Sequence, residues 1–566
     1  MEIKIISRDL VIIGGGAAGC YAGVTARRQE PDLDITIIEK AHIERSGCLA
    51  AGINAINAYI NPGETPESFL EYVKKDSHNL IRDDLVYSIA CGINKTVATV
   101  EKWGLPILKD ENGNYLSRSS RSIKIKGEKF KPILANKVRE ERIEVLNRTV
   151  ATNYIVENGR VKGCFAFNIR KGIFYVIRAK AVICATGGAS GIYKPNNEGK
   201  ARHKMWYPPF NTGAGYAMGI RAGAEMTTLE MRFVALRVKD VIAPTGTFAF
   251  AGATQENRLG EEYLQKYDQM STCMRLYATV QEEKAGRGPC YLNLSHLDKT
   301  AAHRLYDSLL DMCPDLVLQW EEKGVSPDEI KLKIEGTEPY LVGGHCQAGY
   351  WIDINRRTTV EGLYAAGDVA GGAPKKYVSG AFVEGKIAAE NAVNYLKRRT
   401  EKDIDISYNL IKKEHKRLSA PLNKNGIKAR VMEKQLQQVM DEYAGGKSNY
   451  YELEENQLLE ARKMVRQLKK VSAEMGADNL HELMSVQEVL DKLEIAAVLI
   501  EHLLYRKETR WPGYQTRKDY PDLKPEWRKF INSRYNKVQK QIEIIEREYK
   551  PLAAYKKNNI ERGVVV

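Results

Sequence analysis

Four apolar residues in a row, Leu10–Ile13, and the β-branched run Ile35-Thr36-Ile37-Ile38 flank a segment, Ala17–Arg28, rich in alanine and glycine. Short apolar runs of this kind read as buried strands and the segment between them as a helix, a β-α-β unit whose second strand ends in Glu39. Residues 63–103 read as helical, with Trp103-Gly104-Leu105-Pro106 ending the run. Ala181–Ala185 predicts another buried strand before Thr186-Gly187-Gly188, and Gly362–Ala366 a further one before Gly367-Asp368, with a helix over Phe382–Leu396. Between 236 and 345 the pattern is mixed and reads as an inserted unit. Beyond 400 it becomes helical and charged. Val486, Val489, Leu490, Leu493, Ala496, Ala497, Ile500, Leu503 and Leu504 make one apolar stripe at helical spacing, and Leu458, Ala461, Val465 and Leu468 another, both expected to pack in a bundle. The expected division is a discontinuous domain of residues 1–235 and 346–400, a cap of 236–345, and a C-terminal helical domain and tail of 401–566.

Composition supports a folded chain of several domains. With 566 residues, 43% apolar and 28% charged, it is too long for one core and too apolar for disorder. No run of eighteen apolar residues suggests a membrane span. The opening MEIKIISRDLVII lacks the regions of a signal peptide, so a cytoplasmic protein is expected. Nine cysteines are scattered with no CxxC pair, which argues against a local zinc or iron–sulfur motif. Lys plus Arg is 86 against 72 for Asp plus Glu, a formal charge of +14. That excess suits an anionic substrate or an acidic partner. No RNP motif, zinc finger or basic stripe interleaved with aromatics is present, and nucleic acid is not an expected partner.

The chemistry begins at Gly14-Gly15-Gly16-Ala17-Ala18-Gly19, a GxGxxG match placed after a strand and at a helix start, with Glu39 twenty residues on at a strand end. Gly14 permits the tight turn, Gly16 lets backbone approach a pyrophosphate, and Gly19 allows close helix–strand contact. The N–H groups where the helix opens at Ala17 and Ala18 face phosphate. Glu39, with Lys40 beside it, is placed for ribose hydroxyls. The motif alone leaves NAD and FAD open. Ala185-Thr186-Gly187-Gly188 and Gly367-Asp368, however, resemble the second and third signatures of large flavoproteins with two dinucleotide-binding halves. That resemblance implies FAD, with Asp368 on the ribityl chain. Ser379-Gly380-Ala381 would open a helix toward the isoalloxazine, whose reduced form its dipole stabilises. Ser46, Gly47 and Glu384 complete the expected cofactor set.

In order, these pieces resemble the fumarate reductase and succinate dehydrogenase flavoprotein superfamily and, within it, the adenylylsulfate reductase alpha-subunit family. The resemblance covers most of the chain. It is carried by Glu44-Arg45-Ser46-Gly47, Ala55-Ile56-Asn57-Ala58-Tyr59, Gly127-Glu128-Lys129-Phe130-Lys131-Pro132, Trp206-Tyr207-Pro208-Pro209, Leu236-Arg237-Val238-Lys239-Asp240, Gly343-Gly344-His345, Thr358-Thr359-Val360-Glu361-Gly362 and the segment from Arg506 to Tyr514. It implies an α/β fold with a Rossmann-like FAD-binding domain, an inserted α+β capping domain and a C-terminal helical domain. It implies noncovalent FAD, because no histidine stands in Ser46–Leu49 where covalent members carry one. It also implies reduction of adenosine 5′-phosphosulfate to sulfite and AMP through a flavin N5–sulfite adduct. Electrons would come from iron–sulfur clusters held only by a partner, a ferredoxin-like beta subunit. By the same resemblance Arg237 and His345 stand beside the flavin, Asn57 and Glu128 match further active-site positions, and Trp206 matches an aromatic between substrate and electron entry. Arg275 is a further anion contact.

Two other readings compete. Asn257-Arg258-Leu259-Gly260-Glu261 resembles the segment in which fumarate reductases carry a proton-donating arginine. If Arg258 faces the flavin, reduction of the C=C bond of an unsaturated carboxylate becomes the reaction. The basic charge also allows a non-catalytic FAD-binding module for RNA or a protein partner.

Overall fold

The computed structural model describes residues 1–196, 205–241, 243, 245–268, 270–310, 312–399 and 404–555; the last part of the expected tail, 556–566, lies outside them. Its centre is a seven-stranded sheet. β1 (Glu2–Ile13) leads into α1 (Ala17–Gln29) and β2 (Ile35–Glu39), followed along the chain by β3 (Glu144–Asn147), β4 (Thr149–Glu157), β5 (Arg160–Asn168), β6 (Ile173–Cys184) and β7 (Leu363–Ala365). The order across the sheet is β3-β2-β1-β6-β5-β4, with β7 added beside the second half of β6. β3, β2, β1, β6 and β7 run parallel; β5 pairs antiparallel with β6, and β4 antiparallel with β5. β1 and β6 pair along their full length, from Glu2↔Ile173 to Ile13↔Cys184. Only the far half of β1, Leu10–Ile13, is covered on both faces. That is why this half alone shows the uninterrupted apolar run of a buried parallel strand, while Glu2–Arg8 is polar and largely exposed. α1 packs against α2 (Tyr377–Lys397), which begins five residues before the apolar pattern of Phe382–Leu396.

The helical stretch expected over 63–103 is two helices, Pro66–Asp76 and Asp83–Lys102. The break falls at His78 and Asn79, both left-handed with φ of 52° and 60°, and it brings Asp76 and Ser77 to the wall of the site described below. The inserted cap has its own antiparallel sheet, in the order Leu236–Val238, Lys331–Gly336, Cys290–Asn293 and Thr254–Glu256. It also has its own apolar core, including Phe248, Leu292, Leu309, Trp320 and Ile334. That core ends near Gly336, short of 345. Tyr340 exchanges two backbone hydrogen bonds of 2.8 Å with Phe233, and Tyr340, Leu341 and Val342 pack in the main core.

The chain beyond 404 is not purely helical. The helices Tyr408–Ser419, Ala429–Tyr443, Glu455–Val471 and Leu480–Tyr505 carry the two expected stripes inward, but a hairpin of Lys529–Asn536 and Gln541–Glu548 follows. Its first strand pairs with Met226–Thr227, which pairs with Gly349–Tyr350, so the last hundred or so residues are stitched to the main domain by a shared sheet. A buried polar chain reinforces the seam. Arg506 Nε donates to Glu230 Oε1 at 2.7 Å, His502 Nδ1 lies 3.0 Å from Glu230 Oε2, and Glu508 Oε1 accepts from Arg506 at 2.8 Å and Arg510 at 2.6 Å. Such charges are tolerable inside a protein only when each keeps its partners. No helix among the described residues is long and apolar enough to cross a membrane.

The seam gives a prediction. Glu230→Ala strands His502 and Arg506 and should lower unfolding free energy by about 3–5 kcal/mol, read by chemical denaturation. A loss under about 1 kcal/mol would show that the network carries no such weight.

Candidate active site

The parallel strands all deliver their carboxyl ends to one cavity of about 1030 Å³. Ile13 and Gly14 after β1, Glu39 ending β2, Ala185 after β6, and Gly367 and Asp368 after β7 form its floor. Ligands of open parallel sheets bind at this edge.

The first half of the cavity is a dinucleotide cradle. Gly14 has φ +102°, and a Cβ there would lie 2.4 Å from the Ala185 carbonyl oxygen; one on Gly19 would lie 1.9 Å from the Gly14 oxygen. A Cβ on Gly16 meets nothing within 4 Å. Gly14 and Gly19 therefore close the turn, while Gly16 leaves open space at the start of α1. That helix has no side-chain cap and no acidic residue in its first turn, so its N–H groups and dipole are left for an anion. Glu39 is held by Gly15 N–H at 2.9 Å and Ala41 N–H at 2.8 Å. Lys131, buried, donates to the Gly15 carbonyl at 2.6 Å and to that of Ile43, pinning the loop from below. Ser46 lines the cavity with a buried hydroxyl that has no partner among the described residues. Asp368 accepts from Tyr207 at 3.0 Å, and burial raises its pKa against the opposing pull of Lys376. Open space at Gly16, a waiting hydroxyl at Ser46 and carboxylates at Glu39 and Asp368 fit the pyrophosphate, ribose and ribityl groups of FAD.

The second half is aromatic and cationic. The His345 ring lies 4.8 Å from Trp206, 4.7 Å from Phe233 and 5.1 Å from Tyr377. Burial, and then the charge of Lys375, push its pKa down to about 3, so it is neutral at physiological pH. Lys375 and Tyr377 both have left-handed backbone, φ of 58° and 49°, a strained entry into α2. Lys375 is paired with Asp76 at 2.8 Å and bonded to Thr272 at 2.8 Å. Asn57 lines the wall and accepts from Arg118 at 2.7 Å. Arg275 reaches the cavity from the cap helix Thr272–Lys284.

Of the expected positions, Gly14, Gly16, Ala17, Ala18, Glu39, Lys40, Ser46, Gly47, Asn57, Ala185, Thr186, Gly187, Trp206, Arg275, His345 and Asp368 line this one cavity. Others do not. Arg258 is exposed on a loop, and Glu128 is exposed where its segment enters the helix Phe130–Glu140. Arg237 is buried in the cap, its guanidinium donating to the carbonyls of Val241 at 2.8 Å and Val238 at 3.2 Å; its strand neighbour Leu236 faces the cavity instead. Alternation along a strand sends adjacent side chains to opposite faces. Ser379 and Gly380 lie inside the first turn of α2, Ser379 bonded to the Asn57 carbonyl at 2.7 Å, while Val378 and Ala381 face the cavity. Glu384, fully buried a turn deeper, accepts from Gly367 N–H at 2.8 Å and Lys376 at 2.9 Å, and so braces the floor. Sequence reasoning missed Arg118, Lys375 and Tyr377. Arg118 sits in a polar stretch with no pattern to single it out. Lys375 and Tyr377 stand just ahead of an apolar helix signal that starts later than the helix itself.

A Rossmann-type sheet, a glycine-turned cradle and an aromatic, cationic chamber beside it define a FAD-dependent oxidoreductase with the fold of the fumarate reductase and succinate dehydrogenase flavoproteins. The family model described as FAD binding domain matches residues 9–381, and the chain belongs to that family, in its adenylylsulfate reductase alpha-subunit branch. Adenylylsulfate reductase subunit alpha of Megalodesulfovibrio gigas is 29% identical, over 96% of this chain and 95% of its own. The solved adenylylsulfate reductase of the hyperthermophilic Archaeoglobus fulgidus is 33% identical, covers 97% of both chains and superposes with a TM-score of 0.92. A solved adenosine-5-phosphosulfate reductase in covalent adduct with sulfite matches equally, at 33% identity, 97% coverage of both chains and TM-score 0.92. The cofactor is FAD, bound without a covalent link.

Two predictions follow from the cradle and from the histidine. Gly16→Val should alter apoprotein stability by no more than about 0.5 kcal/mol while weakening FAD binding at least about tenfold. Gly19→Val should destabilise the apoprotein itself. Equal melting temperatures for the two variants would refute this division of labour. Because the folded pKa of His345 lies below the free value of 6.5, the unfolded chain takes up a proton first on acidification, and stability is lost as pH falls from 6.5 toward about 3. His345→Asn should flatten that slope, and the His345 ring resonances of the apoprotein should not titrate between about pH 5 and 9.

Proposed function

We propose that this chain is the flavin-bearing subunit of an adenylylsulfate reductase. It reduces adenosine 5′-phosphosulfate to sulfite and AMP with two electrons supplied by iron–sulfur clusters of a ferredoxin-like beta subunit. The observation that carries the reading is the single cavity joining the cradle at Gly16 and Ser46 to the chamber at His345, Asn57 and Arg275. The one-electron relay is assigned to the partner by the likeness to the adenylylsulfate reductase alpha subunit of Megalodesulfovibrio gigas.

FAD supplies a two-electron centre able to form a reversible N5 adduct with sulfite. The chain's own groups hold and orient the substrate. Cleaving the sulfur–oxygen bond with two electrons gives sulfite, which keeps the new lone pair, and AMP, which leaves as a stable phosphate dianion. No proton is consumed. A neutral His345 suits this: it can donate one N–H to a substrate oxygen without delivering a proton. Arg275 and the ion-paired Lys375 offset the charge of the substrate and its products, and Trp206, packed against His345, closes the apolar side. Reduction of a C=C bond, by contrast, needs a proton donor in the chamber, and Arg258 stands exposed outside it. None of the nine cysteines is paired in a disulfide among the described residues, which fits a cytoplasmic location.

Sulfite added to oxidised holoprotein should bleach the flavin band, more deeply with AMP present, and the photoreduced protein should be reoxidised by adenosine 5′-phosphosulfate and not by fumarate. His345→Asn should lower kcat by about 10²–10³, whereas Arg258→Gln should leave it within about twofold. Reoxidation by fumarate with no response to sulfite would reverse the assignment.

A further inference from the structure

Most cations around the cavity already have a carboxylate or open water. Lys40 is paired with Glu488 at 2.7 Å, Arg121 with Glu64 at 3.0 Å and Lys375 with Asp76 at 2.8 Å; Arg45 is exposed. Arg118 differs. It lies on the short strand Ser117–Ser119 in the cavity wall. Among the described residues its hydrogen bonds go to neutral amides, Asn57 Oδ1 at 2.7 Å and Asn54 Oδ1 at 3.3 Å, and its buried Nε has no partner. Its guanidinium sits 5.0 Å from the ring of Phe250 on the cap helix Thr245–Ala251. No carboxylate pairs with it among the described residues, and burial pulls its pKa down. A half-buried guanidinium without a carboxylate partner is poorly compensated, and an anionic ligand in the cavity would offset that cost.

The same contact fixes Asn57. Guanidinium groups only donate, so the Asn57 oxygen is spent on Arg118, and the NH₂ of that amide is what remains for a ligand. Asn57 is tied by its carbonyl to Ser379 in the first turn of α2, and Tyr377 in that turn touches His345. Arg118 thus belongs to the His345 end of the cavity.

We infer that Arg118 is the cation that binds the sulfonate end of the substrate, and sulfite after it, with Asn57 held by Arg118 as an adjoining donor. This rests on the adenylylsulfate reductase reading. The remaining unpaired cavity arginine, Arg275, approaches from the cap and is left for the phosphate. An oxyanion entering between Arg118 and Asn57 would meet a positive charge and N–H donors from both side chains.

The test is a sulfite titration of oxidised, FAD-loaded protein followed through the flavin band, with AMP binding measured separately. If wild-type protein does not respond to sulfite, the functional reading falls, and the inference with it. If it does respond, Arg118→Gln should bind sulfite at least about tenfold more weakly at unchanged FAD content, with AMP affinity within about twofold. Sulfite binding within twofold of wild type, or a loss confined to AMP, would overturn the assignment while leaving the reaction standing. Should Arg118→Gln fail to retain FAD, Arg118→Lys decides: sulfite binding weakened by more than about twofold at full FAD content and unchanged AMP affinity supports the assignment, and sulfite affinity within about twofold of wild type overturns it.

Discussion

Where β1 ends, three stretches of backbone meet with no space for a side chain between them. The Cα of Gly14 abuts the Ala185 carbonyl, and Gly19 abuts Gly14. This contact can form only if β1 and β6 keep their register from end to end, so that Ile13 and Cys184 finish side by side. Once it forms, α1 starts with its first N–H groups facing out of the sheet edge, and Glu39, Ala185 and Asp368 arrive at the same edge from their own strands. The cofactor cradle is thus a consequence of sheet register, not an independent motif.

The chamber next to the cradle is built differently. It draws on the loop after the helix Pro66–Asp76, the ribbon at Ser117–Ser119, the turn at His345, the strained entry to α2, a cap helix and Tyr514 from the C-terminal segment. Pieces so far apart in sequence stay together because the buried Glu230–Arg506–Glu508 chain and the shared sheet at Met226–Thr227 tie the C-terminal third to the main core. Its electrostatics are also collective. His345 is neutral because aromatic rings exclude water from it and Lys375 stands close by. A neutral histidine among cations suits a reaction that moves electrons and a leaving group and consumes no proton.

Much of the first half could be read directly from the chain. The runs Leu10–Ile13 and Ile35–Ile38 are short and rich in β-branched residues, and their length and setting around a glycine-rich turn mark them as buried strands. GxGxxG between a strand and a helix has one steric explanation, and the structure places Gly14, Gly16 and Gly19 where that explanation puts them. Resemblance also brought Asn57, Trp206 and His345 to one wall. The same resemblance could not see that Arg237 turns inward while Leu236 faces the cavity, or that Glu128 and Arg258 stand in solvent. Which face a residue takes on a three-residue strand, or at a loop tip, depends on neighbours that are not local.

By itself, then, the sequence determined the β-α-β cradle and the helical stripes of the last third, because each follows from short-range sterics or from periodicity along the chain; the choice of FAD over NAD came from the resemblance of the later glycine signatures. The tertiary structure alone decided the composition of the chamber. Arg118, Lys375 and Tyr377 carry no local signal; they matter because folding removes them from water beside one another, and the charge of Arg118, left without a carboxylate, exists as a constraint only in the packed protein.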